Sequence, residues 1–145
     1  MYLNKIVANS TAFIVSFILC YIILDYGLDL AIFITEDQTM FNDYLKKHFI
    51  KTFFYEMIRI GSYIFITEKI INYFNILSNA QKILILYTVT IILSGLYLLF
   101  INYSKNTHFF LSKWVKNVGW KDIIYEMILI SSVYHVYKLI VRKLV

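Results

Sequence analysis

The chain has 145 residues, of which 60% are hydrophobic, 19% aromatic and only 16% charged. A soluble domain carries about 25% charged residues and one this short leaves much of its area exposed, so this composition excludes a water-soluble globule and points to lipid. The formal charge of +5 is spread over several loops, which excludes a nucleic-acid face built from clustered Lys and Arg and suits basic loops resting on anionic headgroups.

The first apolar run extends from about Ile6 to Ile34. No small-residue cleavage site follows it, so it is expected to be a retained span rather than a signal peptide. Its single cysteine, Cys20, allows no intrachain disulfide. Asp25 and Asp29 stand one turn apart in its second half, with Gly27 between them. Two ionised carboxylates so placed in lipid would repel. The expected arrangement ends the span near Tyr26 and leaves "DYGLDL" at the interface; the alternative is a cation or proton site.

"TMFNDYLKKHFIK", residues 39–51, follows as a short amphipathic helix. Phe41, Tyr44, Leu45 and Phe49 lie on one face, with Lys46, Lys47 and Lys51 opposite, the pattern of a helix lying in a membrane interface. A second apolar run covers about Phe53–Phe74 and contains Glu56, Arg59 and the small pair Gly61–Ser62. The third, Ile83–Tyr103, carries no charge. "HFFLSKWVKNVGWK", residues 108–121, repeats the amphipathic pattern with Leu111, Trp114, Val115 and Val118 against Lys113, Lys116 and Lys121. The fourth run covers about Ile123–Val141 and contains Glu126, the pair Ser131–Ser132 and His135.

Each run suffices to cross about 30 Å of hydrocarbon at 1.5 Å per residue. The chain contains no proline and four glycines, so little breaks a helix. Lipid obliges backbone groups to pair within a segment, and nothing alternates as barrel strands do. The expected fold is therefore an all-α integral membrane protein with four transmembrane helices.

Shifted by seventy positions, the chain matches itself. Tyr55, Glu56, Met57 and Ile58 fall on Tyr125, Glu126, Met127 and Ile128 without a gap. Lys46 and Lys51 fall on Lys116 and Lys121, and Tyr44 on Trp114. This predicts a tandem duplication of span, interfacial helix and span, with one copy in residues 1–75 and the other in 76–145. Two spans return the chain to its starting side, so the copies would be related by a pseudo-twofold axis along the membrane normal.

The duplicated glutamates are the sharpest feature, since an acid at mid-span costs about 2.5–3.5 kcal/mol on insertion scales. Both lie only one turn into their runs. Each is therefore expected to tie its span to its own interfacial helix, with proton or cation passage and contact with a partner protein as alternatives. Arg59 is matched by Leu129. It either snorkels to headgroups or lies between Glu56 and Glu126 when the halves pack, specifying which faces meet. Gly61–Ser62 and Ser131–Ser132 occupy equivalent positions and are expected to mark where the second and fourth spans touch.

The interfacial anchors are expected to be Tyr44, Lys46, Lys51, Trp114, Lys116, Trp120 and Lys121. His48, His108 and His135 lack metal-ligand spacing, and no phosphate loop, nucleophile elbow or paired-His motif occurs. No catalytic residue, metal or cofactor is expected. The functional expectation is a structural or assembly protein packing laterally with itself or with partners, in a viral internal or an organellar membrane. The alternative is an ion- or proton-conducting subunit that uses Glu56 and Glu126, with Asp25 and Asp29 as further candidates.

Overall fold

The computed structural model describes residues 2–104 and 110–144. His108 and the start of the second expected surface helix lie outside them, as does the side chain of Leu111. Among the described residues the fold is all helical, with no strand. Helix α1 spans Tyr2–Tyr21 and runs into a π-helical turn over Ile22–Gly27. Then come α2 (Leu30–Thr35), α3 (Gln38–Phe41) and a second π turn over Asn42–Lys47. The long helices α4 (Phe49–Tyr73) and α5 (Asn79–Tyr103) are joined by a short turn. Helix α6 (Phe110–Val118) and helix α7 (Lys121–Leu144) complete the chain.

Three helices among the described residues, not the expected four, are long and apolar enough to cross a membrane: Asn4–Gly27, Asn79–Tyr103 and Lys121–Lys143. Helix α4 has the length, at 25 residues, but Lys51, Glu56, Arg59, Glu68 and Lys69 interrupt its apolar run. Although the apolar run continues to Ile34, the first candidate span ends at Gly27, beside the expected end near Tyr26. The chain breaks there because Asp29 takes a left-handed conformation, φ 49°, which leaves Asp29 exposed and starts α2 in a new direction.

The remaining joints have local causes. Helix α4 ends where Asn75 turns left-handed, φ 51°. The Phe74 N–H then bonds the Ile70 carbonyl and the Ile76 N–H bonds that of Ile71, satisfying orphan carbonyls of the last turn. Gly119 at φ 59° closes α6 through an N–H···O bond of 2.9 Å to Val115 and turns the chain into α7. A side chain is strained at that φ, so glycine is the residue that fits.

Helix α1 packs chiefly on α7, and α4 chiefly on α5. The expected surface segments turn their apolar faces onto the helical bundle. The second π turn and α6 fold over one end of it. Phe41, Tyr44, Leu45, Trp114, Val115 and Val118 are buried there, while Lys46, Lys47, Lys113 and Lys116 stay outside. Many large apolar side chains are left exposed along the long helices, among them Leu84, Phe100 and Leu139.

Candidate functional site: a buried charge cluster

Apolar residues cover the outside of the first half of α4, and Glu56 and Arg59 point inward, while Lys51 and Lys69 towards its ends are exposed. Phe54 and Ile58 are 53% and 66% exposed, whereas Glu56 is 0% and Arg59 7% exposed. That inversion is the arrangement expected of ionisable residues in lipid, which face a bundle interior and pair there. Glu56 and Arg59 are three residues apart and share a face; the Arg59 Nη2 lies 3.0 Å from Glu56 Oε1. From α7, Glu126 contacts the same Nη2, and Asp122 Oδ2 lies 3.5 Å from Nη1. One guanidinium thus joins three carboxylates from two helices. Its flat faces rest on aromatic rings, with Cζ 5.2 Å from the Tyr55 centroid and 5.6 Å from that of Tyr97 on α5, a favourable cation–π setting.

Neutral donors occupy further carboxylate lone pairs. The Tyr44 hydroxyl donates to Glu56 Oε1 at 2.7 Å, the Trp114 indole N–H to Asp122 Oδ1 at 2.7 Å, and the Ser94 hydroxyl to Glu126 Oε2 at 2.8 Å. Tyr125 donates to Asp25 Oδ2 at 2.7 Å. Burial, and after it the Glu56 carboxylate, push the Tyr44 phenol well above its usual range, so it remains a proton donor at any physiological pH. The rings of Tyr44 and Trp114 stack on each other at 4.1 Å and roof the cluster.

The second π turn supplies Tyr44, and the first supplies Asp25. A π turn inserts an extra residue into the helical repeat and re-aims the side chains beyond it. Asp25 is accordingly fully buried instead of lying at the interface. Exposed Asp29 does not accompany it, so the two are not brought together as a site.

Several expected residues lie elsewhere. Tyr44 and Trp114 are internal, whereas Lys46, Lys51, Lys116 and Trp120 are exposed and Lys121 half-buried. The ion pairs of Arg59 join α4 to α7. Ser62, Ser131 and Ser132 donate to carbonyls of their own helices, those of Ile58, Met127 and Ile128 respectively. Their hydroxyls are therefore not used between helices. Gly61 faces Phe13 of α1 and lines a cleft of about 720 Å³ between α1 and α4, with Asn9, Ser10 and Met57 on its walls. The exposed His135 ring lies against the Ser131 carbonyl at 2.7 Å.

Sequence reasoning missed Asp122, Ser94, Tyr97 and the role of Tyr125. It also missed Glu68, which accepts from Tyr134 at 2.8 Å and pairs with Lys138 at 2.6 Å. Asp122 was detectable: it precedes Glu126 by four and shares its face. The chain matches no protein-family model, no curated protein and no solved structure, so the geometry of the cluster carries the functional reading.

Proposed function

We propose that the chain is a non-enzymatic structural or assembly component of a membrane, packing laterally with copies of itself or with partner proteins. The observation that carries this reading is the inversion of polarity: charges are gathered around Arg59 inside, and apolar residues face outward. On this reading α4 crosses the bilayer beside the three more apolar helices. Glu56, Arg59 and Glu68 are spent on partners within the bundle, and its outer face of Phe54, Ile58 and Phe65 meets lipid. The cluster then serves as a lock that fixes how the helices pack, the best-attested use of buried ion pairs.

The same reading takes the chain as a duplicated two-span unit. Contacts between positions seventy apart support it: Tyr44 stacks on Trp114, the Lys113 ammonium lies 3.2 Å from Asp43, and Glu56 and Glu126 share Arg59. An axis relating the halves would run through those contacts. A viral internal membrane or an organellar membrane suits the Ile-, Lys-, Asn- and Tyr-rich composition. The open cleft between α1 and α4 offers a place for lateral contact.

The test is purification in mild detergent with cross-linking, beside reconstitution into vesicles. The expected result is a fixed-ratio assembly and vesicles no leakier to ions than empty ones. A lone monomer, or a conductance abolished by Glu56→Gln together with Glu126→Gln, would overturn it.

A further inference from the structure

The charges of the cluster do not balance. Glu56, Asp122 and Glu126 surround a single guanidinium, and Asp25 joins the same region through Tyr125. Fully ionised, four carboxylates against one arginine leave three negative charges uncompensated. All four acids are fully buried. Among the described residues, every ion pair they make ends on Arg59.

The other titratable groups packed around them are phenols. Tyr21 comes from α1 and Tyr26 from the first π turn, Tyr44 from the second. Helix α4 adds Tyr55 and Tyr63, and Tyr97 and Tyr125 come from α5 and α7. Helix α6 contributes Trp114, which does not titrate. A phenol gives a hydrogen bond but no positive charge, so the protein itself cannot close the deficit. Buried ions left unpaired are costly enough that they neutralise instead.

Unpartnered acceptor oxygens mark where a proton can bind. Asp25 Oδ1 is buried with no hydrogen-bond partner among the described residues, and buried Asp122 Oδ2 and Glu126 Oε1 have the Arg59 ion pair but no hydrogen bond. Asp25 has one neutral donor and no cation beside it. Among the described residues, no group of three or more acids, histidines or cysteines is gathered so that it could hold a metal ion. The ligand that fits is therefore the smallest cation.

We propose that Asp25 and the three carboxylates around Arg59 form a proton-binding site, in which protons taken from water supply the positive charge that the side chains lack. Proton occupancy then becomes part of the packing: as pH rises and protons leave, like charges accumulate under the Tyr44–Trp114 roof and the bundle loosens. This goes beyond the scaffold reading and is independent of it, since a monomer or an oligomer would bind protons alike.

The test uses the purified full chain in detergent at neutral pH. Its infrared spectrum should contain the carbonyl band of un-ionised carboxylic acid, which carboxylates lack. Unfolding in weakly buffered dodecyl sulfate should release at least one proton per chain to a pH indicator, as the buried acids meet water and ionise. Asp25→Asn, which keeps the Tyr125 hydrogen bond, should weaken the band, and combining it with Glu126→Gln should reduce it further. A wild-type chain that is folded by circular dichroism, yet shows no acid band and releases no proton, overturns the proposal without recourse to any variant. A band unchanged in the folded double variant would also overturn it.

Discussion

The two YEMI stretches have the same letters and different tasks. In α4, Glu56 is held by Tyr44 from the covering segment and by Arg59 from its own helix. In α7, Glu126 is held by Ser94 of α5 and by the same Arg59. The hydrogen bond from the covering segment falls instead on Asp122, which takes the indole proton of Trp114. The equivalent of Asp122 is Thr52, and its hydroxyl donates to the Tyr44 carbonyl at 2.7 Å. Both halves thus bond position 44 or 114 to the position eight residues later, with donor and acceptor exchanged. The tyrosines diverge too: Tyr55 lies against Arg59, and Tyr125 bonds Asp25. The lesson is that one arginine serves both stretches. Leu129 stands where a second would be, fully buried, and so neither half completes its electrostatics alone.

The strongest way to break this comparison is to remove the shared cation. Arg59→Leu leaves the surrounding carboxylates without a cation, and loss of one side of a buried pair costs about 3–5 kcal/mol. Thermal unfolding in detergent, followed by circular dichroism, should show this as the largest single-site loss in the molecule. If the halves are equivalent, Leu129→Arg approaches the cluster from α7, three residues after Glu126, as Arg59 follows Glu56. The double variant should recover more than half of what Arg59→Leu loses. A double variant less stable than Arg59→Leu alone would show that the two sides of the cluster are not interchangeable.

The next effect sharpens the comparison from above. Tyr44→Phe takes a donor from Glu56, and Trp114→Phe takes one from Asp122. Each leaves a buried carboxylate oxygen short of a bond, at about 1–3 kcal/mol. Similar losses are expected from the two, with non-additivity when combined because the rings stack on each other. A Tyr44→Phe variant as stable as the wild type would deny the phenol its role.

Much of this architecture is legible in the letters, and the part that is not has a physical reason. The long helices follow from apolar runs without proline, and the burial of Phe41, Tyr44, Trp114 and Val118 follows from their spacing. Periodicity reports which face a residue occupies and says nothing of what that face meets. The Asp25–Tyr125 bond joins residues a hundred positions apart, and Ser94 and Tyr97 sit in a run so uniformly apolar that no face stands out. The π turns are invisible because no residue signature marks the extra position, yet one of them moves Asp25 from interface to core. The end of the first span near Tyr26 is legible from its two aspartates, whereas the left-handed turn at Asp29 is not. The charges of α4 keep it out of the set of helices apolar enough to cross a membrane, and only the structure shows that Glu56 and Arg59 among them pair inside.

The smallest predicted effect has opposite signs at equivalent positions. A β-carbon on Gly61 would stand 3.1 Å from Phe13 Cζ and 3.2 Å from Cε1, close enough that the ring must shift. Overpacking of this kind costs about 1–3 kcal/mol, against about 1 kcal/mol gained by replacing glycine with alanine in a helix. Gly61→Ala should therefore destabilise by about 1 kcal/mol and narrow the cleft beside Asn9 and Ser10. Ser131, seventy positions later, is half-buried and spends its hydroxyl on the Met127 carbonyl of its own helix. Ser131→Ala removes no contact between helices and improves helix propensity, so it should stabilise by a few tenths of a kcal/mol, at most about 0.5. The α1–α4 seam is tight at Phe13 and open beside it, whereas α5 and α7 close against each other more fully. Opposite shifts in unfolding midpoint, with the Gly61→Ala loss the larger, would place that asymmetry at a single pair of small residues, and shifts of the same sign would move it elsewhere along the seam.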